Sequence, residues 1–297
     1  MTDTVIYRLA LVLVGIFFVA TAGAQDYEIR LHRAIATGAK YRITGSGQQF
    51  ERMQIFAGGK QVDQKEEDIR FDIETVATAL TVDALGRPTQ YTLAIEKFVV
   101  SPAGGDTVTL ERGTVISGRL EGQRVILAIG DAPLGGLAAK VIEWMFPVPT
   151  SSGTDDDVFG TRERKKVGDR WPIDARAAAH HLGASLKAEI DSNLIKGETA
   201  LVRAGRTAVG DVITIAGTFS LDGFSMPLPD GVKIVKGRTM ASYEGQLPVD
   251  ARRPPLRTTM KMMNDVVAVR PADDQSPEIT VRTAAEQYIS RAFEPIP

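Results

Sequence analysis

The sequence predicts an α+β protein dominated by antiparallel β-structure, with two β-rich halves, an amphipathic helix after the first and a short helix opening the second. Three observations carry this. From Lys40 to Ile129, short runs of Val, Ile, Thr, Tyr and Phe are punctuated by Gly45, Gly58-Gly59, Gly86, Gly104-Gly105 and Gly122, the pattern of strands joined by tight turns. Pro133 to Phe146 then changes period, with Leu134, Leu137, Val141, Ile142 and Met145 recurring at three- and four-residue spacing. After a polar stretch, strand-like runs return from Ser185 onward.

Ahead of the strands, the first two dozen residues read as a cleavable secretory signal. Arg8 supplies a basic start, Leu9 to Ala20 an apolar run, and Ala22-Gly23-Ala24 the small residues a signal peptidase needs, which puts the cut between Ala24 and Gln25. The apolar run falls short of the roughly 20 residues of a membrane span, and no later run approaches that length, so no transmembrane span is expected after cleavage. The chain then divides into residues 1–24 (signal peptide), 25–148 (first β-rich unit with its C-terminal helix), 149–166 (linker) and 167–297 (second β-rich unit).

In the first unit Ile69, Phe71 and Ile73 alternate with Arg70 and Asp72, which turns one face to a core and one to water. By Val76, Leu80 and Val82 the larger apolar groups occupy even positions, so a bulge or break is expected near Thr75. The helix of Pro133 to Phe146, with Asp131 near its start and Pro147 at its end, should pack across the preceding sheet. Pro147 to Lys166 shows no apolar period and reads as a surface linker. Within it Asp155-Asp156-Asp157 lacks the alternating spacing of a calcium loop and reads as solvated.

Val167-Gly168-Asp169-Arg170-Trp171-Pro172 then supplies a Gly-Asp turn and an apolar anchor, Trp171. Asp174 is the N-cap of a short helix from Ala175 to Leu182, stopped by Gly183. Strands are expected at Ser185 to Ile195, Thr199 to Arg203, Val212 to Phe219, Lys233 to Leu247, Leu256 to Arg270 and Glu278 to Ile289. An internal echo links the units: Val82-Asp83-Ala84 leads through Pro88 into one alternating strand, and Val249-Asp250-Ala251 leads through Pro254-Pro255 into another. Duplication of a β-unit and common hairpin chemistry explain it equally well.

The search for chemistry is mostly one of exclusion. There is no cysteine, which removes disulfides, thiolate metal sites and a lipid-modified N-terminal cysteine. With 35 basic and 37 acidic residues and a formal charge of −2, the chain lacks the basic excess of a nucleic-acid binder. Adjacent His180 and His181 point about 100° apart on a helix and His32 is the only other histidine, so a structural place in the last turn before Gly183 is expected. Gly223-Phe224-Ser225-Met226-Pro227 ends in proline where a nucleophile elbow needs glycine and a helix. Carboxylate-pair glycosidases usually grip sugar with aromatics, which are 6% of this chain, and Trp144 and Trp171 fall at core positions. No catalytic, cofactor-binding or metal-binding residue is assigned, and no cofactor is expected.

The order of elements, an exported β-rich half, a helix ending in Phe146-Pro147, Val167-Gly168-Asp169-Arg170-Trp171, then another β-rich half, resembles a loosely defined class of secreted bacterial proteins of unknown function. The resemblance implies no activity and carries over no site residues. Export without an anchor, β-dominance and missing motifs point to a non-enzymatic periplasmic or extracellular module that binds an apolar small molecule or lipid, or an envelope protein. The alternatives are a purely structural protein-interaction module and a hydrolase using an unrecognised carboxylate pair. N-terminal sequencing of the exported protein should begin at Gln25 or within a few residues of it; a membrane-held product that keeps Met1 would overturn the cleavage reading.

Overall fold

The structure, a computed structural model, describes residues 25–122, 124–147, 153–186, 189–227, 231–272 and 277–296. Ala22, Ala24 and the rest of the expected signal peptide lie outside the described residues, and Gln25 is the first within them. Seven strands come from the first part of the chain: β1 (Lys40–Ala57), β2 (Lys60–Val82), β3 (Pro88–Pro102), β4 (Val108–Thr109), β5 (Val115–Glu121), β6 (Arg124–Ile129) and β7 (Ala132–Pro133). Six follow: β8 (Arg170–Pro172), β9 (Ile195–Thr207), β10 (Gly210–Pro227), β11 (Lys233–Pro248), β12 (Arg257–Arg270) and β13 (Ile279–Ile296).

All of them belong to one antiparallel sheet, in the order β7-β6-β5-β3-β2-β1-β13-β12-β11-β10-β9-β8, with β4 beside β3. The last strand closes the arrangement: β13 pairs with β1 from Lys40↔Ile296 to Ala57↔Ile279, so one sheet runs through both parts of the chain. Two four-strand meanders, β1-β2-β3-β5 and β10-β11-β12-β13, lie across it in the same sense. The echo noted in the sequence falls at the equivalent hairpin of each, β2-β3 and β11-β12.

Both hairpins turn on an aspartate. Asp83 Oδ1 accepts the backbone N–H of Leu85 and of Arg87, each at 2.9 Å, and its Oδ2 accepts from the Arg87 guanidinium at 2.6 Å. Asp250 Oδ1 accepts the N–H of Arg252 at 3.1 Å and that residue's guanidinium at 2.9 Å. A short carboxylate that satisfies turn amides is the reason aspartate suits these positions.

The outer face of the sheet carries cross-strand ion pairs, among them Arg52–Glu66 at 2.7 Å, Lys97–Asp72 at 2.6 Å and Arg238–Asp222 at 2.7 Å. Exposed pairs of this kind add little stability, but they fit that face to water. Among the described residues no helix is long and apolar enough to cross a membrane.

The inner face is covered at its two flanks. Helix α1 (Gly136–Met145) buries Ala138, Val141, Ile142 and Met145 against Ile69, Phe71, Ile73, Leu93, Ile95, Phe98 and Ile116. At the other flank α2 (Asp155–Phe159) and α3 (Ala175–Leu186) bury Val158, Ala178 and Ala179 against Ile195, Leu221 and Phe224. Asp174 caps α3 as its sequence predicts, its Oδ1 accepting the N–H of Arg176 at 2.9 Å and of Ala177 at 3.0 Å.

Several local expectations are corrected. Gly45 is not a turn but an inner-face residue of β1, where its missing Cβ leaves room for the tip of Met145. The bulge near Thr75 exists, yet it belongs to the partner strand: Glu74 pairs with Lys97 and Thr75 with Ile95, so Glu96 is the extra residue. The buried face therefore shifts within β3, from Tyr91, Leu93 and Ile95 to Phe98 and Val100, while β2 keeps Thr75 and Ala79 buried and leaves Leu80 exposed. Gly183 keeps a helical backbone, α3 runs on to Leu186, and the strand expected from Ser185 begins only at Ile195, after a 3-10 turn at Ser192–Leu194. The segment read as linker contains α2.

Trp171 is buried on β8 within a cluster of Ile29, Leu31, Leu201, Ile213, Ile215 and Leu247. Its indole N–H donates to the Phe159 carbonyl at 2.9 Å, so it joins the sheet to α2. Trp171→Ala should cost about 3–5 kcal/mol in urea melts, the usual loss for a buried large aromatic; a loss under about 1 kcal/mol would reject the core role.

Candidate binding cavity

The register of the central strands lines up rows of inner-face residues across the sheet. One row reads Phe98, Ile73, Gly45, Arg291, Thr258, Gly245, Ile215, Leu201, from β3 to β9. Both ends are large and apolar, and the middle is small or polar. The neighbouring stretch of β2 is thinned as well, since Ala77 stands opposite Tyr41 on β1 and Leu93 on β3. Met145 at the end of α1 fills the room over Gly45, and beside it a cavity of about 620 Å³ opens at Arg291 and Thr258. That volume lies within the roughly 300–1,000 Å³ of pockets that enclose a small ligand. A second cavity of about 480 Å³ lies further along the same trough, with Trp144, Phe224, Met262 and Gln287 in its walls.

A strap from Tyr27 to Ala36 closes one end of the larger cavity. Its route is set by backbone hydrogen bonds: Tyr27 exchanges two with Lys165, at 2.8 and 2.9 Å, and the Ile35 N–H donates to the Gly86 carbonyl at 2.8 Å. Asp156 accepts the N–H of Leu31 at 2.6 Å and of His32 at 3.3 Å. The strap then reaches both aspartate turns. His32 Nε2 donates to the Leu85 carbonyl at 2.7 Å, and Arg33 Nη1 to the Asp250 carbonyl at 3.1 Å. Gly86, at φ +75°, lies so close to Ala34 that a Cβ there would collide.

Ionisable groups gather at this strapped end. Asp155, His32, His181, Tyr243, Arg33 and Arg291 all line the cavity. Burial pushes the Asp155 carboxyl above the usual carboxylate range, with Asp156 adding to the effect and His32, His181 and Arg291 opposing it. By surface area Asp155 is exposed, yet protein surrounds it; the area it shows faces the cavity. Burial likewise raises Tyr243, with Asp155 reinforcing it, and lowers Arg291 and Arg33. Arg291 Nη1 donates to the Met145 carbonyl at 3.1 Å, placing a cation at the C-terminus of α1, where partial negative charge collects.

The residues weighed in the sequence are distributed differently from expectation. His180 and His181 diverge as foreseen, with His180 exposed and His181 at the cavity, but they stand in the body of α3 and not in its last turn. The three aspartates of residues 155–157 are not a solvated run: Asp155 faces the cavity, Asp156 holds the strap, and Asp157 accepts the Thr154 N–H at 2.6 Å. Asp155 is the one carboxylate among the lining residues. No group of three or more His, Asp or Glu able to hold a metal occurs among the described residues. Arg33, Tyr243 and Arg291 carried no sequence signal, because each is an isolated polar residue in a strand or strap whose partners are distant in the chain.

Fold and site together define an open antiparallel sheet, flanked by helices, around a central cavity with a charged end. No family model and no curated protein matches this chain. Among solved structures it is similar to lipovitellin at TM-score 0.36 and 11% identity, over 89% of this chain and 26% of that one, so it spans about a quarter of the lipovitellin chain. It is also similar to the outer membrane protein OprG of Pseudomonas aeruginosa at TM-score 0.17 and 8% identity, over 88% and 98% of the two chains. For OccK7 (OpdD) of the same organism the TM-score is 0.21 and the identity 7%, over 86% and 100%.

The raised Asp155 carboxyl has a consequence for stability. Its folded pKa lies above the unfolded value of about 3.9, so the folded state holds the proton more tightly and loses stability as pH rises through that window. Asp155→Asn removes this loss. Urea melts should show the variant gaining on the unaltered protein as pH rises from about 4; a constant or shrinking difference would overturn the assignment.

Proposed function

We propose that this chain is an exported, non-enzymatic binding protein whose central cavity holds an apolar ligand. The observation that carries the reading is the cavity itself, of about 620 Å³, onto which the partly buried Tyr41, Phe146 and Phe293 open. Large apolar side chains that face an unfilled space forgo the contacts that dense packing normally provides, and an apolar guest restores them. The strap and both aspartate turns hold the walls in place before any ligand arrives, which lowers the ordering cost of binding. Export through a leader cut before Gln25 belongs to the same proposal, as does membership of the class of secreted proteins that the order of elements resembles. A hydrolase working through two carboxylates needs a second acid in the cavity, and Asp156 spends its oxygens on the strap.

Binding of the fluorophore N-phenyl-1-naphthylamine tests this. The unaltered protein should enhance its emission, and Ala77→Trp, which fills the cavity from the floor of β2, should weaken binding about tenfold or more, or about 1.4 kcal/mol. A dye that is not enhanced, or that binds a folded Ala77→Trp equally well, would sink the proposal.

A further inference from the structure

We propose that the ligand is a single acyl chain with an anionic head, the head seated between Arg33 and Arg291 and the chain along Tyr41, Phe146 and Phe293. This rests on the cavity reading above and names its ligand class. Six shielded side-chain atoms lack a hydrogen-bond partner among the described residues, and three of them, Arg33 Nε, Arg291 Nε and the Thr258 hydroxyl, belong to residues that line the strapped end of this cavity. A shielded polar atom without a partner is destabilising, and more so on a charged group. A guanidinium cannot shed its proton to escape that cost. All three groups can donate, so the partner that answers them is an acceptor.

Placement and charge point the same way. Arg291 and Thr258 are cross-strand neighbours on β13 and β12, and Tyr243 lies within electrostatic reach of both guanidiniums. Each guanidinium is also tethered at Nη1 to a neutral carbonyl, that of Asp250 for Arg33 and that of Met145 for Arg291, which fixes its position without neutralising it. The lining holds Arg33, Arg87 and Arg291 against one carboxylate, Asp155. Arg87 is paired with Asp83 at 2.6 Å. Asp155 offsets at most one of the other two cations, so at least one positive charge remains for an anionic head. Both guanidiniums can present N–H donors to the two oxygens of a carboxylate or to a phosphate.

The test uses the full chain and displacement of N-phenyl-1-naphthylamine by palmitate, by 1-palmitoyl lysophosphatidate and by hexadecanol, which shares the chain but has no charge. Palmitate or lysophosphatidate should compete about tenfold or more better than hexadecanol. A carboxylate head is identified if palmitate is the tighter of the two, and a phosphate head if lysophosphatidate is. Arg33→Met and Arg291→Met should each erase the preference for the anion while hexadecanol and the dye still bind. Thr258→Val removes only a hydroxyl and keeps the test decisive if an arginine variant does not fold; it should weaken the anionic ligand about threefold with unchanged melting, as the loss of one hydrogen bond does. Equal competition by hexadecanol in the unaltered protein, or an undiminished preference in the folded variants, overturns the anionic head and leaves the apolar cavity standing. If neither dye, anion nor alcohol binds, the cavity reading falls and the ligand class falls with it.

Discussion

Covering the inner face of a single long sheet is the constraint from which the other features follow. A sheet that is apolar on one side must be packed against something, usually a second sheet or a layer of helices. Here the cover is three helices of modest length, and they reach only the flanks. Under α1 the strands present Ile69, Phe71, Ile73 and Leu93; under α2 and α3 they present Ile195 and Leu221. Between these cores the inner row shrinks to Gly45 and Gly245 or turns polar at Arg291 and Thr258. The room left at Gly45 is taken by Met145 of α1, and that at Gly245 by the ring of Tyr243. The central cavity is the place where the cover stops, and its chemistry is set by the residues that tolerate being left uncovered.

The strap answers the same constraint at one end of the trough. Chain from Tyr27 to Ala36 forms no regular strand beyond one bridge, so its amides need partners from elsewhere. Asp156 takes two of them, and Gly86 takes another through its carbonyl. Each such bond adds on the order of 1 kcal/mol, and together they fix a segment that would otherwise cost about 1–2 kcal/mol per residue to order. Because the strap bonds to α2 and to the turns of both β2-β3 and β11-β12, it ties the two meanders together across the mouth of the cavity. The strap is held by these polar contacts together with the packing of Ile29 and Leu31 into the Trp171 cluster.

The charged end of the cavity works against folding stability. Burial shifts Asp155, Tyr243, Arg33 and Arg291 each toward its neutral form, and their mutual attraction recovers only part of the loss. Groups placed at such a cost, around a space and with donors left over, mark a site where binding supplies what folding does not. The ion pairs of the outer face show the opposite arrangement, with every charge in water and little energy at stake.

The sequence by itself determined the local elements whose cause is local. Alternation along Ile69 to Ile73, the helical stripe of Leu137 to Met145, the cap at Asp174, the aspartate turns at Asp83 and Asp250 and the buried Trp171 were all legible, because each depends on neighbours within a few positions. It misplaced the features that depend on the partner strand. The pattern of Val76, Leu80 and Val82 suggested a change of face near Thr75 of β2, whereas the bulge there is Glu96 of β3, β2 has its own extra residue only at Leu80, and the residues turned inward between them are Ala77 and Ala79, too small to register in a hydrophobic count. Asp155 and Asp156 looked like loop residues since nothing nearby in the chain explains them; Asp156 finds its partners at Leu31 and His32, more than a hundred residues away. Only the tertiary structure decided that β13 would lie beside β1. That pairing brings Arg291 next to Gly45 and sets both in the centre of the sheet, and no local propensity carries information about a register made between the two ends of the chain.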